Sequence, residues 1–321
     1  MLRAVLRLVR YKNLLIVALT MYAMRSFIMQ PLLAKRVLAL QMGEFIFSLL
    51  VLSTVLITAA GYVINDYFDT RTDLVNRPTT VIVGKDLTRR FAIILHWTLN
   101  IVGVILGVVV AFAISKPFLT IVFLFIPGLL WFYSTSYKRQ LLTGNILVAA
   151  LTALVPLIPL LFELPLLQSV YWQILVIDST VFNDLVYWVV GYSIFAFTLT
   201  LFREIVKDIE DVEGDNEFGR RSLPVVLGTN AARNAGAAIL LLTLLVLVYL
   251  FGAYLHILSN GMFDYLTLTY MILCFVIPIF ILIVRLFSAQ TKHDYHWVSN
   301  FSKIIMLLGI LYSIPFRLFV V

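Results

Sequence analysis

Charge is what this 321-residue chain has least of: 13% of its residues are Asp, Glu, Lys or Arg, while 62% are hydrophobic. A water-soluble domain carries roughly 25% charged residues, so the polar surface that a soluble globule needs is missing. Disorder requires low hydrophobicity and high charge, and a mean hydropathy of +1.00 excludes it. Cysteine is almost absent too. Cys274 stands alone in an apolar run, which rules out a disulfide framework and a cysteine-based metal site. No glycine-rich phosphate loop, Ser-His-Asp arrangement or Cys/His metal spacing occurs. What remains is a chain dissolved in a bilayer. Its net charge of +7 then reads as the positive-inside rule rather than as a nucleic-acid surface. Neither nucleic acid nor an obligate protein partner is expected, whereas membrane lipid is.

A crossing takes about 20 mostly apolar residues, and nine stretches qualify: 14–34, 45–64, 91–113, 117–136, 142–161, 184–202, 235–256, 265–285 and 303–320. The first follows a basic start (Arg3, Arg7, Arg10, Lys12), but Arg25 and the lack of a small-residue cleavage site argue against a signal peptide. Residues 164–177 are apolar yet short, an interfacial segment or a tenth crossing. Charge arbitrates. With nine crossings and a cytoplasmic N-terminus, 19 of the 24 Lys and Arg residues fall on the cytoplasmic side, against Lys35, Arg36, Lys116 and Arg317 outside. A tenth crossing would export the basic 203–233 loop. The expected architecture is an all-α membrane protein, one domain over residues 1–321, with nine helices around a central cavity open to the cytoplasmic side and to lipid. Pro127, Pro156, Pro159, Pro278 and Pro315 are expected to bend helices around that cavity.

Only two loops are rich in acid, and both fall on the cytoplasmic side. One reads NDYFDTRTD over residues 65–73 and the other DIEDVEGD over 208–215. Their aspartates repeat one spacing: Asp66, Asp69, Asp73 and Asp208, Asp211, Asp215. Steps of three and four put side chains on one helical face, so each cluster presents three carboxylates in a row at the end of an apolar helix. Like charges in a row repel, and a divalent cation removes that cost. The oxygen-only donor set suits Mg²⁺, which takes one or two carboxylates and completes its shell with water and phosphate oxygens. Arg71, Arg77, Lys85, Lys138, Arg139, Arg203, Lys207, Arg220 and Arg221 lie nearby in sequence. Carboxylates, metal and cations together describe a diphosphate site. Asp86, Glu210, Glu213 and Glu217 break the pattern and read as solvated.

At these residues the sequence resembles the UbiA-type membrane prenyltransferases, which have nine transmembrane helices and the motifs NDxxDxxxD after the second and DxxDxxxD after the sixth. The resemblance continues in NRP at 76–78 and in FGRRSLPVVLG at 218–228. It implies an isoprenyl diphosphate bound through Mg²⁺ by Asp66, Asp69, Asp73, Asp208, Asp211 and Asp215, with Asn65, Arg77, Lys85, Lys138, Arg139, Arg203 and Lys207 on the diphosphate. It also implies a tail running into the membrane and an allylic carbocation, or a transition state like one, captured by a lipophilic acceptor. The family often carries Tyr-x-x-x-Lys after its fourth helix. Here Lys138 follows Tyr133 by five residues and Tyr137 by one, so both tyrosines remain candidates. REIVKDIEDVEGD at 203–215 and VIVGK at 81–85 look most like the lipid-ether branch, in which geranylgeranyl diphosphate prenylates geranylgeranylglyceryl phosphate. Quinone-precursor and haem-prenylating relatives share the aspartates. A bacterial or archaeal plasma membrane, with the active site facing the cytoplasm, follows from this resemblance and from the charge bias.

Other residues leave two readings open. Arg25, ionisable inside a span, either contacts a phosphate in the cavity or snorkels to an interface. Asn13 and Asn145 either face the cavity or serve helix ends. His293 and His296, three apart, either share a metal or are polar loop residues. A transporter would also use acids in a helical bundle, but such acids usually lie at mid-membrane depth, and both rows here lie at helix ends. A non-catalytic lipid-binding relative is the third class.

Overall fold

The computed structural model describes residues 1–76, 78–79, 81–255 and 263–320. Arg77 and the end of the expected seventh crossing at residue 256 lie outside the described residues. Among the described residues, nine helices are long and apolar enough to cross a membrane: α1 Tyr11–Lys35, α2 Glu44–Asn76, α3 Arg89–Ala113, α4 Pro117–Arg139, α5 Thr143–Val170, α6 Asn183–Glu210, α7 Thr229–Ala253, α8 Tyr265–Ser288 and α9 Lys292–Leu318. All nine expected crossings are present. Their helices run past the apolar stretches, because polar ends such as the first aspartate row continue α2 for more than two turns. Residues 164–170 simply extend α5. The chain then breaks at Tyr171 into the short helix Trp172–Ile177, so no tenth crossing forms.

Helix α2 packs on α3 and α4, and α6 packs on α5, α7 and α9, while α1 touches α2, α5 and α9. Three apolar clusters result among the described residues. One holds Phe47, Leu50, Phe123 and Phe162, a second Phe202, Leu240, Leu282 and Leu286, and a smaller third Leu8, Val63, Val83 and Ala92. A cavity of about 310 Å³ lies among α1, α2, α4, α5, α6 and α9. Pro127 and Pro156 lie in helices lining it; the stretches Met24–Met29 and Ile272–Val276 widen to π-turns just before Pro31 and Pro278. Proline lacks the amide that the ladder needs, and a wider turn accommodates the loss.

Arg25 sits in the first of those π-turns and does not line the cavity, which corrects one of its two expected roles. It lies toward the end of the bundle opposite the aspartate motifs, only 8% exposed in its side chain. Its Nη2 donates to the Met42 carbonyl at 2.5 Å, and its guanidinium lies over the Phe47 ring at 4.4 Å and 3.8 Å from Glu163 Oε2. Glu163 in turn accepts from the backbone amides of Gln41 and Met42, so the pair anchors the α1–α2 connection. Arg25→Met strands the buried Glu163 carboxylate. Losing one partner of a buried pair costs roughly 3–5 kcal/mol, and the amides that remain place this loss near ~3 kcal/mol. Thermal unfolding in detergent should show the drop, while the folded fraction keeps its specific activity.

Candidate active site

The cavity changes character along its length. Its walls are apolar (Ile57, Phe123, Ile126, Leu130, Val155, Ile158), and one end carries Arg10, Asn13, Tyr62, Asn65, Tyr133, Arg203, Glu204, Lys207 and Lys303. Three buried polar atoms at the cavity lack a partner among the described residues: Asn65 Oδ1, Thr200 Oγ1 and Arg203 Nε. Native interiors rarely leave such groups unpaired, so this end suits polar partners, ordered water or a polar ligand.

The first aspartate row lies wholly on α2. Asp66, half-buried, and Asp69, buried, each meet a cation delivered from elsewhere in the chain. Arg10, left-handed at φ 53° where it starts α1, donates to Asp66 Oδ1 at 2.9 Å. Lys138, at the C-terminal end of α4, donates to Asp69 Oδ1 at 2.6 Å, and Arg220 donates to the same oxygen. The second row departs from the expected single helical face. Helix α6 ends at Glu210, Asp211 leaves the helix at φ −99°, ψ 8°, and Asp215 rides on a separate turn, Val212–Glu217. The cause is a contact that local spacing does not report. Asn76, the last residue of α2, accepts from the Gly214 amide at 3.1 Å and donates to the Asp211 carbonyl at 3.3 Å. A Cβ on Gly214 would lie 2.4 Å from Asn76 Oδ1, so only glycine permits this approach.

That clamp brings the rows together. Arg220 reaches both, with Nη1 3.3 Å from Asp215 Oδ1 and Nη2 on Asp69. Burial raises the Asp215 carboxyl above the usual range, and the guanidinium of Arg220 pulls it back down. Asp208, on α6, accepts from Asn145 Nδ2 at 2.7 Å. Asp73 and Asp211 are half-buried at the same end. Among the described residues no three metal-ligating side chains converge. The donors that do approach one another across the rows, Asp69 and Asp215 linked through Arg220, are oxygen-only, a set that suits Mg²⁺ completed by water and phosphate oxygens.

The remaining expectations divide. Asn13 lines the cavity and donates to the Tyr62 hydroxyl at 3.4 Å, and Tyr133 lines it while Tyr137 does not. Arg203 and Lys207 line it, both held by Glu204, at 2.6 and 2.9 Å. Lys85 and Arg139 are exposed and do not line the cavity; the Arg139 carbonyl accepts from the Arg221 amide at 3.0 Å. Glu210, read as solvated, is buried and pairs with His296 Nδ1 at 3.1 Å. His293 and His296 lie in the first turns of α9, not in a loop. Sequence reasoning passed over Glu204 and Lys303 altogether, counted Arg220 only among the cations near the second row, and read Arg10 as part of the basic start. For Arg10 the signal was its place three residues before Asn13, and for Arg220 its place five residues after Asp215.

Apolar helices of this length around a cavity with apolar walls and one charged end make this an integral membrane protein. Residues 14–305 match the UbiA prenyltransferase family. The digeranylgeranylglyceryl phosphate synthase of Methanothermobacter thermautotrophicus is 33% identical over 229 residues, covering 68% of this chain and 70% of that one. A solved structure concerned with digeranylgeranylglyceryl phosphate synthase in membranes aligns with a TM-score of 0.62 at 21% identity, over 98% of this chain and 97% of the other. A UbiA homolog from Archaeoglobus fulgidus, bound to GPP and Mg²⁺, aligns with a TM-score of 0.58 at 15% identity, over 97% and 99%. The chain belongs to the UbiA prenyltransferase family and is an intramembrane prenyltransferase.

Proposed function

We propose that the protein transfers a geranylgeranyl group from its diphosphate to the free hydroxyl of geranylgeranylglyceryl phosphate, with Mg²⁺ held between the two aspartate rows. The observation that carries this reading is Arg220, which touches Asp69 of one row and Asp215 of the other and so sets the rows face to face beside an apolar cavity. The names of the similar synthases support the acceptor. The bound GPP and Mg²⁺ of the Archaeoglobus fulgidus homolog support the donor class and the metal.

Asp66, Asp69, Asp73, Asp208, Asp211 and Asp215 would hold the cation, which when bound neutralises charge on the departing diphosphate. Lys138 and Arg220 stand against Asp69, where they can take diphosphate oxygens as that charge develops. The prenyl tail lies along Ile57, Leu130 and Val155, and these walls exclude water from the allylic centre. Tyr133 lines the same space and can offer its ring to developing positive charge, whereas the Tyr62 ring is already covered by the Arg10 guanidinium at 4.8 Å. The allylic C–O bond breaks with its electron pair leaving on pyrophosphate, the acceptor oxygen bonds to the same carbon, and the hydroxyl proton passes to the departing pyrophosphate or to water. The excess of Lys and Arg at the aspartate end supports its facing the cytoplasm.

Purified protein supplied with geranylgeranyl diphosphate, Mg²⁺ and a panel of acceptors should release pyrophosphate and form the diether only with geranylgeranylglyceryl phosphate. Chelation should stop turnover and Mg²⁺ should restore it. Product formed only with an aromatic acceptor overturns the choice of acceptor.

A further inference from the structure

We infer that the charged end of the cavity holds a second anion subsite, built on Lys303, Arg203 and Thr200, that seats the phosphate monoester of the acceptor. The inference rests on the prenyl-transfer reading above and assigns to the acceptor residues that the donor does not need.

The charges at this end do not balance. Glu204 is the one acid lining the cavity among the described residues, and it already serves two cations, Arg203 at 2.6 Å and Lys207 at 2.9 Å. Arg10 is occupied by Asp66. Lys303 has no carboxylate: among the described residues its ammonium donates only to Asn300 Oδ1, at 3.3 Å, on its own helix. Three cations therefore share one carboxylate in a space with apolar walls. Unbalanced charge is expensive there, and an anion relieves it. The excess is two positive charges, and a phosphate monoester carries about −1.5 to −2 at neutral pH. Unpartnered donors are waiting there as well, one a hydroxyl and one the Nε–H of a cation already counted. Thr200 is 3% exposed with an unpartnered Oγ1, and Arg203 Nε is buried and unpartnered.

The donor's diphosphate does not account for this cluster. Its own cations, Lys138 and Arg220, stand on the aspartate rows. Helix α9, which carries Lys303, contributes no aspartate to either row. Arg203 and Thr200 precede Asp208 on α6 by five and eight residues, which at 1.5 Å per residue is about 7.5 and 12 Å deeper along the helix. That separation leaves room for a glycerol unit between the two phosphates. A neutral quinone-type acceptor would leave the excess charge unanswered.

The test uses the full-length protein in nanodiscs of uncharged lipid, with geranylgeranylglyceryl phosphate and its dephosphorylated alcohol as probes. Equilibrium binding is read without donor, and KM for each substrate in turnover. The wild-type protein should bind the phosphate probe at least tenfold more tightly than the alcohol. Lys303→Met should weaken binding of the phosphate probe, and raise its KM, by tenfold or more. KM for geranylgeranyl diphosphate and binding of the alcohol should stay within twofold, and Lys303→Arg should recover most of the loss. Wild-type protein that does not distinguish the probes overturns the subsite without any variant. So does a Lys303→Met protein in which donor and acceptor KM rise together. Binding needs no turnover, so phosphate discrimination that depends on Lys303 in a protein that transfers nothing supports the subsite and overturns only the proposed reaction.

Discussion

Asp69→Asn should reduce pyrophosphate release by at least 10³-fold while leaving the protein folded. The side chain is buried, and one of its oxygens takes both Lys138 and Arg220, so it organises the whole cationic side of the first row. An amide of the same shape keeps the packing but removes the charge that orients both cations and would bind the metal. Preorganised electrostatic groups are worth roughly 10²–10³ in rate each, and this substitution disturbs a metal ligand and two cations at once. Because the three groups act as a unit, Asp69→Asn combined with Lys138→Met should be little worse than Asp69→Asn alone. Circular dichroism and size-exclusion chromatography check the fold, and a pyrophosphate-release assay checks the rate. Near-normal turnover in Asp69→Asn would falsify the role given to the first row.

Gly214→Leu should lower kcat by about 10²-fold through a different cause. No catalytic group is removed. The added side chain must occupy the place of Asn76, where even a Cβ falls 2.4 Å from its Oδ1. Two hydrogen bonds that tie the end of α2 to the turn after α6 are then lost, and Asp215 moves off the first row. A misplacement of about 1 Å at a reacting constellation costs on the order of 10²-fold. Asn76→Ala breaks the same clamp without steric conflict and should show a smaller loss. If both substitutions leave kcat intact, the docking of α2 on residues 212–217 is irrelevant to the rate.

What could be read from the sequence tracks what is local in it. The first row survives intact because its spacing sits on one uninterrupted helix, and the nine crossings follow from apolar length alone. The second row was misjudged at Asp211, where a contact from Asn76, more than 130 residues earlier, bends the chain. The cations were harder still. Lys85 and Arg139 are near the motifs in sequence yet exposed in space, whereas Arg220 reaches Asp69 across a separation of 151 residues. Glu204 stands outside the aspartate spacing, and its importance appears only once Arg203, Lys207 and the cavity surround it. Arg25 drew attention as a charge inside a span. It is answered by Glu163 and by the Met42 carbonyl, neither of them a neighbour in sequence.

The central claim is that a divalent cation and the donor's diphosphate meet between the two aspartate rows. It is tested most directly by a crystal structure with geranylgeranyl thiodiphosphate and Mn²⁺, located by anomalous scattering. The account predicts metal peaks about 2.1 Å from carboxylate oxygens of both rows, a typical distance for hard octahedral cations, with the diphosphate bridging them and the tail in the cavity beside Tyr133. A diphosphate bound at this end with no metal on either row would contradict it.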